Sequence, residues 1–329
     1  MDKLDHPVEI GIIDYPGAQA AAVLGITDIL QAAEKLARKW GEGTGPLLRI
    51  SHWRRDETGA LPERTFDTLP DGGGYPSIIV IPPGLGEPLP HGEAAFYAQW
   101  LRAQHGRGAS LCSVCKGAFL LGETGLLAGR RVTTHWSFEE AFLARFPDVL
   151  VDTDRLVIDD GDIVTAGGVM AWIDLALRLI ERCLGPTVML GISRAFVVDP
   201  PGRQQSYYSA FSPRLQHGDA AILKVQHWLQ ATEAKEMSLA PIARQAGLEP
   251  RTFMRRFQKA TGHTMVDYVQ RLRMNRAREL LQFSRDPVEE VAWKVHYRDA
   301  SAFRKVFTRI VGLNPIEFRQ RFQAGAAGS

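Results

Sequence analysis

Arg251-Thr-Phe-Met-Arg-Arg-Phe257 places two phenylalanines four residues apart with basic residues between them, and Ser301-Ala-Phe-Arg-Lys-Val-Phe307 repeats the arrangement fifty residues later. Residues at i and i+4 share one face of a helix, so each pair predicts an apolar face with its charges turned outward. The surroundings repeat as well. Gly262 and Tyr268 recur as Gly312 and Phe318, and upstream Leu239, Ala243 and Leu248 recur 49 residues on as Val288, Ala292 and Tyr297. The one-residue change of spacing falls between helices, where a turn absorbs it. Each repeat has the grammar of a helix-turn-helix. Ser238 is placed to cap a first helix over 239–246, and the small Ala243 lets a second helix cross closely. Gly247 supplies the left-handed residue of a tight turn, and Pro250 suits the first turn of the next helix. The outward set is Arg251, Met254, Arg255 and Arg256 in the first unit and Ala300, Ser301, Arg304 and Lys305 in the second. Arginine pairs bidentately with guanine in the major groove, while the remaining cations would hold phosphates.

Charge agrees with this placement. Of the 329 residues, those up to 213 carry 19 Lys and Arg against 26 Asp and Glu, while 214–329 carry 20 against 11. A net of −7 followed by +9 predicts two domains, the second facing a polyanion. Residues 198–215, polar and containing Pro and Gly, read as the linker between them. The long stretches 219–232 and 265–283 read as helices.

Residues 216–322 resemble the DNA-binding domain of the AraC/XylS family. The resemblance is carried by Ser238-Leu-Ala-Pro-Ile-Ala-Arg-Gln-Ala-Gly247, Arg251–Phe257, Thr261-Gly262, the connecting stretch Tyr268–Leu281, Gly312-Leu-Asn-Pro315 and Phe318-Arg319. One departure is His296, where the family usually has Gly in the second turn. A side chain there costs about 1 kcal/mol if the turn is left-handed, so the second unit is expected to be strained or differently turned.

Ahead of the basic half, apolar runs alternate with helical patterns. Val8–Ile13 precedes an apolar-periodic stretch over 19–38; Ser77–Ile81 stops at Pro82-Pro83-Gly84; Ala109–Val114 leads into a helix over 116–127. Continuous apolar strands separated by helices predict a doubly wound, mostly parallel flavodoxin-like α/β sheet covered on both faces. Asp159-Asp160-Gly161-Asp162 predicts a hairpin turn between strands at 155–158 and 162–165, and a helix over 169–183 closes the domain. Ser113-Val-Cys-Lys-Gly-Ala118 sets Cys115 at a sharp strand-to-helix junction, the geometry of a nucleophile elbow, whose helix start favours a thiolate. The glycine loop containing Gly84 and Gly86 follows a second strand and could complete an anion cradle. Cys112-x-x-Cys115 lacks a second Cys or His cluster, so no metal or redox pair is expected, nor any cofactor.

Residues 8–195 resemble the class I glutamine amidotransferase-like fold in its PfpI-like branch, and within it the sensor halves that precede AraC-type domains. Ser113–Phe119 with Leu121, Gly125-Leu-Leu-Ala-Gly129, Thr133-Thr-His-Trp136, Thr165-Ala-Gly-Gly168 and Ile173-Asp-Leu-Ala-Leu177 carry it. Enzymes of that superfamily use a Cys with a His or an acid near the first strand–helix turn. Here the acid position of the hydratase relatives falls on Ala22, Asp28 stands where a Glu is often seen later in that helix, and Lys116 follows the Cys in place of Thr, Gly or His. His135 remains as an imidazole partner. The resemblance therefore implies a small-molecule pocket rimmed by Cys115, Lys116, His135, Gly84, Gly86 and Gly167, and no catalysis. Lys116 facing that pocket would favour an anionic ligand or hold Cys115 as thiolate.

Together these readings predict a sensor domain over 1–197, a linker over 198–215 and a DNA-binding domain over 216–329. The expected activity is sequence-specific regulation of transcription. The partners are double-stranded DNA, a small-molecule effector and a second copy of the chain through the N-terminal domain. Three cysteines, the polar start Met1-Asp2-Lys3-Leu4-Asp5-His6 and the absence of a long apolar run point to the cytoplasm, associated with the nucleoid when DNA-bound, and away from a membrane. Two rivals stand beside this: a Cys-dependent hydrolase or hydratase using Cys115 and His135, fused to a DNA-binding module, and a regulator that senses oxidation of Cys115.

Overall fold

A computed structural model describes residues 7–41, 45–55, 62–70 and 72–323. The polar start Met1–His6 lies outside them. The chain divides into two compact units, one ending at Gln205 and one beginning at Ser206.

The first unit runs β1 (Val8–Ile13), α1 (Ala20–Lys39), β2 (Leu48–Arg55), β3 (Pro62–Asp67), β4 (Ile78–Ile81), α2 (His91–Gly106), β5 (Ser110–Val114), α3 (Gly117–Gly122), β6 (Arg131–Val132), α4 (Glu139–Arg145), β7 (Leu150–Val151), β8 (Val157–Asp159), β9 (Ile163–Ala166), α5 (Trp172–Leu184) and α6 (Pro186–Phe196). Its main sheet has the order β3-β2-β1-β4-β5-β9-β8, parallel through the centre, with antiparallel strands β3 and β8 at the edges. The doubly wound sheet expected from the apolar runs is present. Both faces are buried, and the two-residue strand period divides the side chains between two cores. Ile78, Val80, Cys112 and Val114 join α1, α5 and α6 on one side, while Ile79, Ile81 and Leu111 join α2, α3 and α4 on the other.

Three local expectations need correction. The helix after the elbow covers six residues, not 116–127, because the Thr124 hydroxyl caps the Leu121 carbonyl at 2.6 Å and Gly125 turns left-handed (φ 73°). The hairpin strands lie at 157–159 and 163–166, where the Asp160 N–H donates to the Ile163 carbonyl at 2.9 Å. The helix at 172–184 does not close the unit. Gly185 (φ 87°) breaks the chain and Pro186 starts α6.

The second unit is helical: α7 (Ala220–Ala231), α8 (Leu239–Ala246), α9 (Pro250–Thr261), α10 (Met265–Phe283), α11 (Val288–Lys294), α12 (Ala300–Val311) and α13 (Pro315–Phe322). The sequence repeat is a structural repeat. Phe253 and Phe257 are fully buried with ring centroids 5.2 Å apart, and Phe303 and Phe307 are buried 5.6 Å apart. Tyr268 meets Phe257 edge-on at 5.2 Å, as its counterpart Phe318 meets Phe307 at 5.6 Å. Two cores result, and α10 supplies both: Tyr268 and Val269 to the first, Met274, Ala277 and Leu281 to the second. Ser238 occupies the cap position of α8 without a capping bond from its side chain. The Glu236 carboxylate instead accepts from the N–H groups of Met237 and Ser238 at 2.8 and 2.7 Å.

The segment expected as a linker over 198–215 is half-buried or exposed except at Gln205 and Ser206, which are buried. Gln205 belongs to the first unit, while Ser206 and Phe211 are bonded within the second.

Candidate nucleic-acid interface and elbow site

The two turns of the helical unit have one geometry. Gly247 (φ 65°) donates to the Arg244 carbonyl and Leu248 to the Ala243 carbonyl; His296 (φ 65°) donates to Trp293 and Tyr297 to Ala292. The second turn is thus left-handed with a side chain in it, not rebuilt to avoid one. Burial holds His296 below the usual imidazole pKa, and its Nε2 is buried with no hydrogen-bond partner among the described residues.

With Phe253 and Phe257 turned inward, α9 exposes Arg251, Met254 and Arg255, and among the described residues no ion pair engages Arg251 or Arg255. Arg256 is turned the other way. It donates to both oxygens of Asp219 at 2.9 and 2.7 Å, and Asp219 caps α7 by accepting from the Ile222 N–H. On α12, Ser301 and Lys305 are exposed and Ala300 half-buried, whereas Arg304 is paired with Glu289 of α11. The Asp299 carboxylate accepts from the N–H groups of Ser301 and Ala302 at 2.9 and 3.2 Å, fixing the start of the helix. The expected set therefore splits into free side chains and side chains already partnered.

Arg273 was not anticipated. It lies on α10 in the stripe Val269-Arg273-Ala277 and is 5% exposed. Its guanidinium donates to the Ala234 and Lys235 carbonyls at 3.0 and 2.9 Å and reaches the His296 carbonyl at 3.4 Å. One buried cation thus links the end of α7 to the turn of the second helix-turn-helix. The signal in the sequence was a charge at an apolar position.

The elbow is built as expected. Cys115 is a buried residue with φ 54°, its N–H donating to Ala166 at 2.8 Å and its carbonyl accepting from the Thr134 hydroxyl at 2.8 Å. Such a backbone costs a non-glycine residue on the order of 1 kcal/mol and is held by these flanking bonds. Gly117 is obligatory. A Cβ there would lie 2.7 Å from the Ile81 carbonyl and 2.8 Å from that of Pro82, so α3 begins pressed against the second glycine loop.

The electrostatics differ from the expectation of a thiolate. Burial pushes the Cys115 thiol up to about 11, outweighing the Lys116 N–H and ammonium that favour the charged form. Lys116 does not face the sulfur as a free cation: its ammonium donates to the Gly86 carbonyl and lies 4.8 Å over the Phe138 ring. His135 Nδ1 accepts from the Ser137 N–H at 3.2 Å and is 2.7 Å from its hydroxyl. Burial and the charge of Lys116 lower its pKa, and among the described residues no hydrogen bond joins it to Cys115. Ala22 is fully buried in the core and Asp28 faces outward from α1, so neither supplies an acid. Tyr15 donates to the Pro82 carbonyl at 2.9 Å and closes the site from the other side.

Lys116 thus meets the second glycine loop through Gly86, and the Cys115 N–H meets the strand end before Gly167 at the Ala166 carbonyl. The recess lined by Tyr15, Gly17, Gly84, Lys116 and Leu120 has about 10 Å³ of room, space for one water; of the expected rim it takes in Gly84 and Lys116. A Cβ on Gly167 would lie 2.4 Å from the amide nitrogen of Gln205, a residue that drew no attention within the polar stretch. Among the described residues no helix is long and apolar enough to span a membrane.

A mostly parallel α/β unit followed by a basic unit of two helix-turn-helix repeats defines a DNA-binding regulator. Comparison with known proteins agrees on both halves. Residues 242–321 match the helix-turn-helix domain family and residues 66–182 match the DJ-1/PfpI family. The chain is 28% identical over 240 residues to the HTH-type transcriptional regulator GlxA of Rhizobium meliloti, covering 72% of this chain and 73% of that one. It is 26% identical over 277 residues to the HTH-type transcriptional regulator CdhR of Pseudomonas aeruginosa, covering 84% and 79%. Its first half is 35% identical over 183 residues to isonitrile hydratase of Pseudomonas putida, covering 54% and 73%. The chain belongs to the AraC-type helix-turn-helix transcription regulators whose N-terminal domain is of the DJ-1/PfpI family.

Proposed function

We propose that the first unit binds a small-molecule effector at the loops carrying Cys115, Lys116, His135, Gly84, Gly86 and Gly167, and that occupancy biases DNA binding by the second unit. DNA is read by Arg251, Met254 and Arg255 of α9, with Ala300, Ser301 and Lys305 of α12 holding the adjacent groove. The observation that carries this reading is the α9 face, where Arg251 and Arg255, exposed and without an ion-pair partner among the described residues, lie opposite a buried phenylalanine pair. Arg256 and Arg304 support the reading helices through Asp219 and Glu289 instead of contacting bases. The chain works as a homodimer through its first unit, in the cytoplasm where its DNA is. In a gel-shift series against fragments upstream of neighbouring genes, Arg251→Ala and Arg255→Ala each weaken the selected site by about 1–3 kcal/mol. Undiminished binding by both variants removes α9 as the reader.

The elbow serves as a binding platform and not as a catalytic centre. Its thiol is protonated at neutral pH, the acid position is Ala22, and His135 is hydrogen-bonded to Ser137. The recess is too small to hold a metabolite as it stands, so binding requires Lys116 to leave the Gly86 carbonyl, which an anionic ligand would draw it to do. A thermal-shift screen of metabolites on the full chain tests this. A ligand at a hundredfold excess over its Kd raises stability by about 2.7 kcal/mol, and Lys116→Met reduces the response to an anionic hit. The enzymatic alternative draws on the similarity to isonitrile hydratase. Iodoacetamide distinguishes the two: with a thiol pKa of about 11, alkylation of Cys115 is slow at pH 7 and accelerates steadily as pH rises. Rapid, pH-independent alkylation near neutrality would reinstate a thiolate, and with it both the hydratase reading and sensing of peroxide.

A further inference from the structure

The two cores of the helical unit meet at a buried cation. Arg273 stands one turn after Val269 and one turn before Ala277 on α10, in a stripe that is otherwise apolar. Its Nε donates to the Ala234 carbonyl at 3.0 Å, one Nη to the Lys235 carbonyl at 2.9 Å and the other to the His296 carbonyl at 3.4 Å. The same guanidinium lies 3.7 Å from Met237 Sγ, on the side of the first core, and 5.5 Å over the Tyr297 ring, on the side of the second. Both turns that it joins are left-handed. Among the described residues five non-glycine residues have positive φ, and three of them stand in these two turns: Glu233 (51°), Ala234 (54°) and His296 (65°). Strain of this kind persists only where surrounding bonds hold it. A second tie lies on the reading helix. Arg309 of α12 donates to the Gln270 side chain at 2.6 Å and reaches Asp267 at 3.4 Å, both on the part of α10 that builds the first core. All of these groups lie within the second unit.

We infer that Arg273 is a positioning residue that sets the register of α12 against α9. A charge in this stripe is a poor choice for stability alone. Burying a cation costs desolvation, and apolar residues of similar size commonly hold a core as well or better. What the guanidinium supplies is direction. Its planar fork satisfies three carbonyls at fixed angles only when the two turns stand in one relative position. A methionine or leucine there would pack against several rotations of the second helix-turn-helix, and the fork discriminates among them. Buried polar groups serve registry in this way between packed helices. Arg309 holds the same arrangement from α12 itself. The separation of the two reading helices is then set before DNA arrives, so the protein measures spacing as well as bases. That consequence rests on the regulator reading above, whereas the register itself does not.

Distances within the full chain test the register. Spin labels introduced as unnatural amino acids at Gln258 of α9 and Thr308 of α12, exposed and equivalent positions of the repeat, report the separation of the two helices by electron double resonance. Wild type should give one narrow distribution. Arg273→Met should widen it about twofold, while the urea midpoint of the helical unit holds or rises. Arg273→Lys keeps the charge without the fork, widens the distribution in smaller measure, and carries the test if the Met variant does not fold. Distributions as narrow in the variants as in wild type overturn the inference. So does a widening that tracks a fall in the urea midpoint, which is loss of folding. A second readout uses a site selected by wild type from random sequence. One base pair inserted between the two contacted stretches moves them apart by about 3.4 Å. Wild type should lose about a hundredfold in affinity and Arg273→Met no more than about tenfold. Equal losses overturn the register role. Indifference of wild type to the insertion counts instead against reading by both helix-turn-helix units, and the distance measurement then decides the register.

Discussion

The two helix-turn-helix units share a skeleton and differ in the side chains that stand on it. In the first, a glycine makes the left-handed turn and Arg251 and Arg255 of α9 have no ion-pair partner among the described residues; in the second, a histidine makes the same turn and Arg304 of α12 is held by Glu289. The backbone, the phenylalanine pairs and the aromatic that closes each core are duplicated. The difference is confined to side chains that face solvent or the turn. A fold duplicates through its apolar face, while the polar face is free to diverge, and here divergence has left one unit with the unpaired guanidinium groups and the other with a lysine and small residues.

Substitutions can break or sharpen this contrast. The largest expected effect tests the shared part: Phe257→Ala and Phe307→Ala each destabilise the helical unit by about 3–5 kcal/mol, measured by urea unfolding. A difference of more than about 2 kcal/mol between them would show that the cores are not equivalent. Next comes readout. Arg255→Ala costs about 1–3 kcal/mol on the selected DNA and relaxes base preference, whereas Lys305→Ala weakens all sequences alike and lowers the salt slope by about one. Equal loss of base preference in both would erase the distinction. The turns respond in opposite directions. Gly247→Ala meets no neighbouring atom within 4 Å, so its cost is the backbone strain alone, about 1 kcal/mol. His296→Gly relieves that strain and an unpartnered buried nitrogen, raising stability by about 0.5–1 kcal/mol. Because the folded imidazole titrates below its unfolded value, the unfolded chain binds more protons in that window. Wild-type stability therefore falls as pH drops below about 6.5, and His296→Gly flattens this dependence. A lower melting temperature for His296→Gly would mean that the ring earns its place by packing. Smallest is Glu289→Ala, which frees Arg304. The pair is exposed and screened by solvent, so it contributes little to stability and the readout is a modest gain in DNA affinity.

Legibility in the sequence followed the same division. The repeat, the sheet and the elbow were readable because apolar periodicity, glycine placement and strand-to-turn junctions are local properties of the chain. Gly247, Pro250, the phenylalanine pairs and Cys115 all stand where their neighbours predict. What was missed depends on partners distant in sequence. The ion pairs of Arg256 with Asp219 and of Arg304 with Glu289 join residues 37 and 15 positions apart, which no local pattern announces. Cys115 looked like a thiolate from its helix start, but burial in the core packed against α1, α5 and α6 dominates its titration. A helix over 169–183 was read as closing the domain, whereas Gly185-Pro186 turns the chain into one helix more. Gln205 carried no local signal at all, since a glutamine in a polar stretch is unremarkable until three loops close on it.

The helix α10 feeds both cores with one rigid run of nineteen residues, from Met265 to Phe283. Two unlike helix-turn-helix units in a set order on one rod give the helical unit a direction, since exchanging its ends does not superpose it on itself. If both units enter DNA as proposed above, the stretch contacted by one copy is asymmetric, and inverting that stretch should abolish the fit.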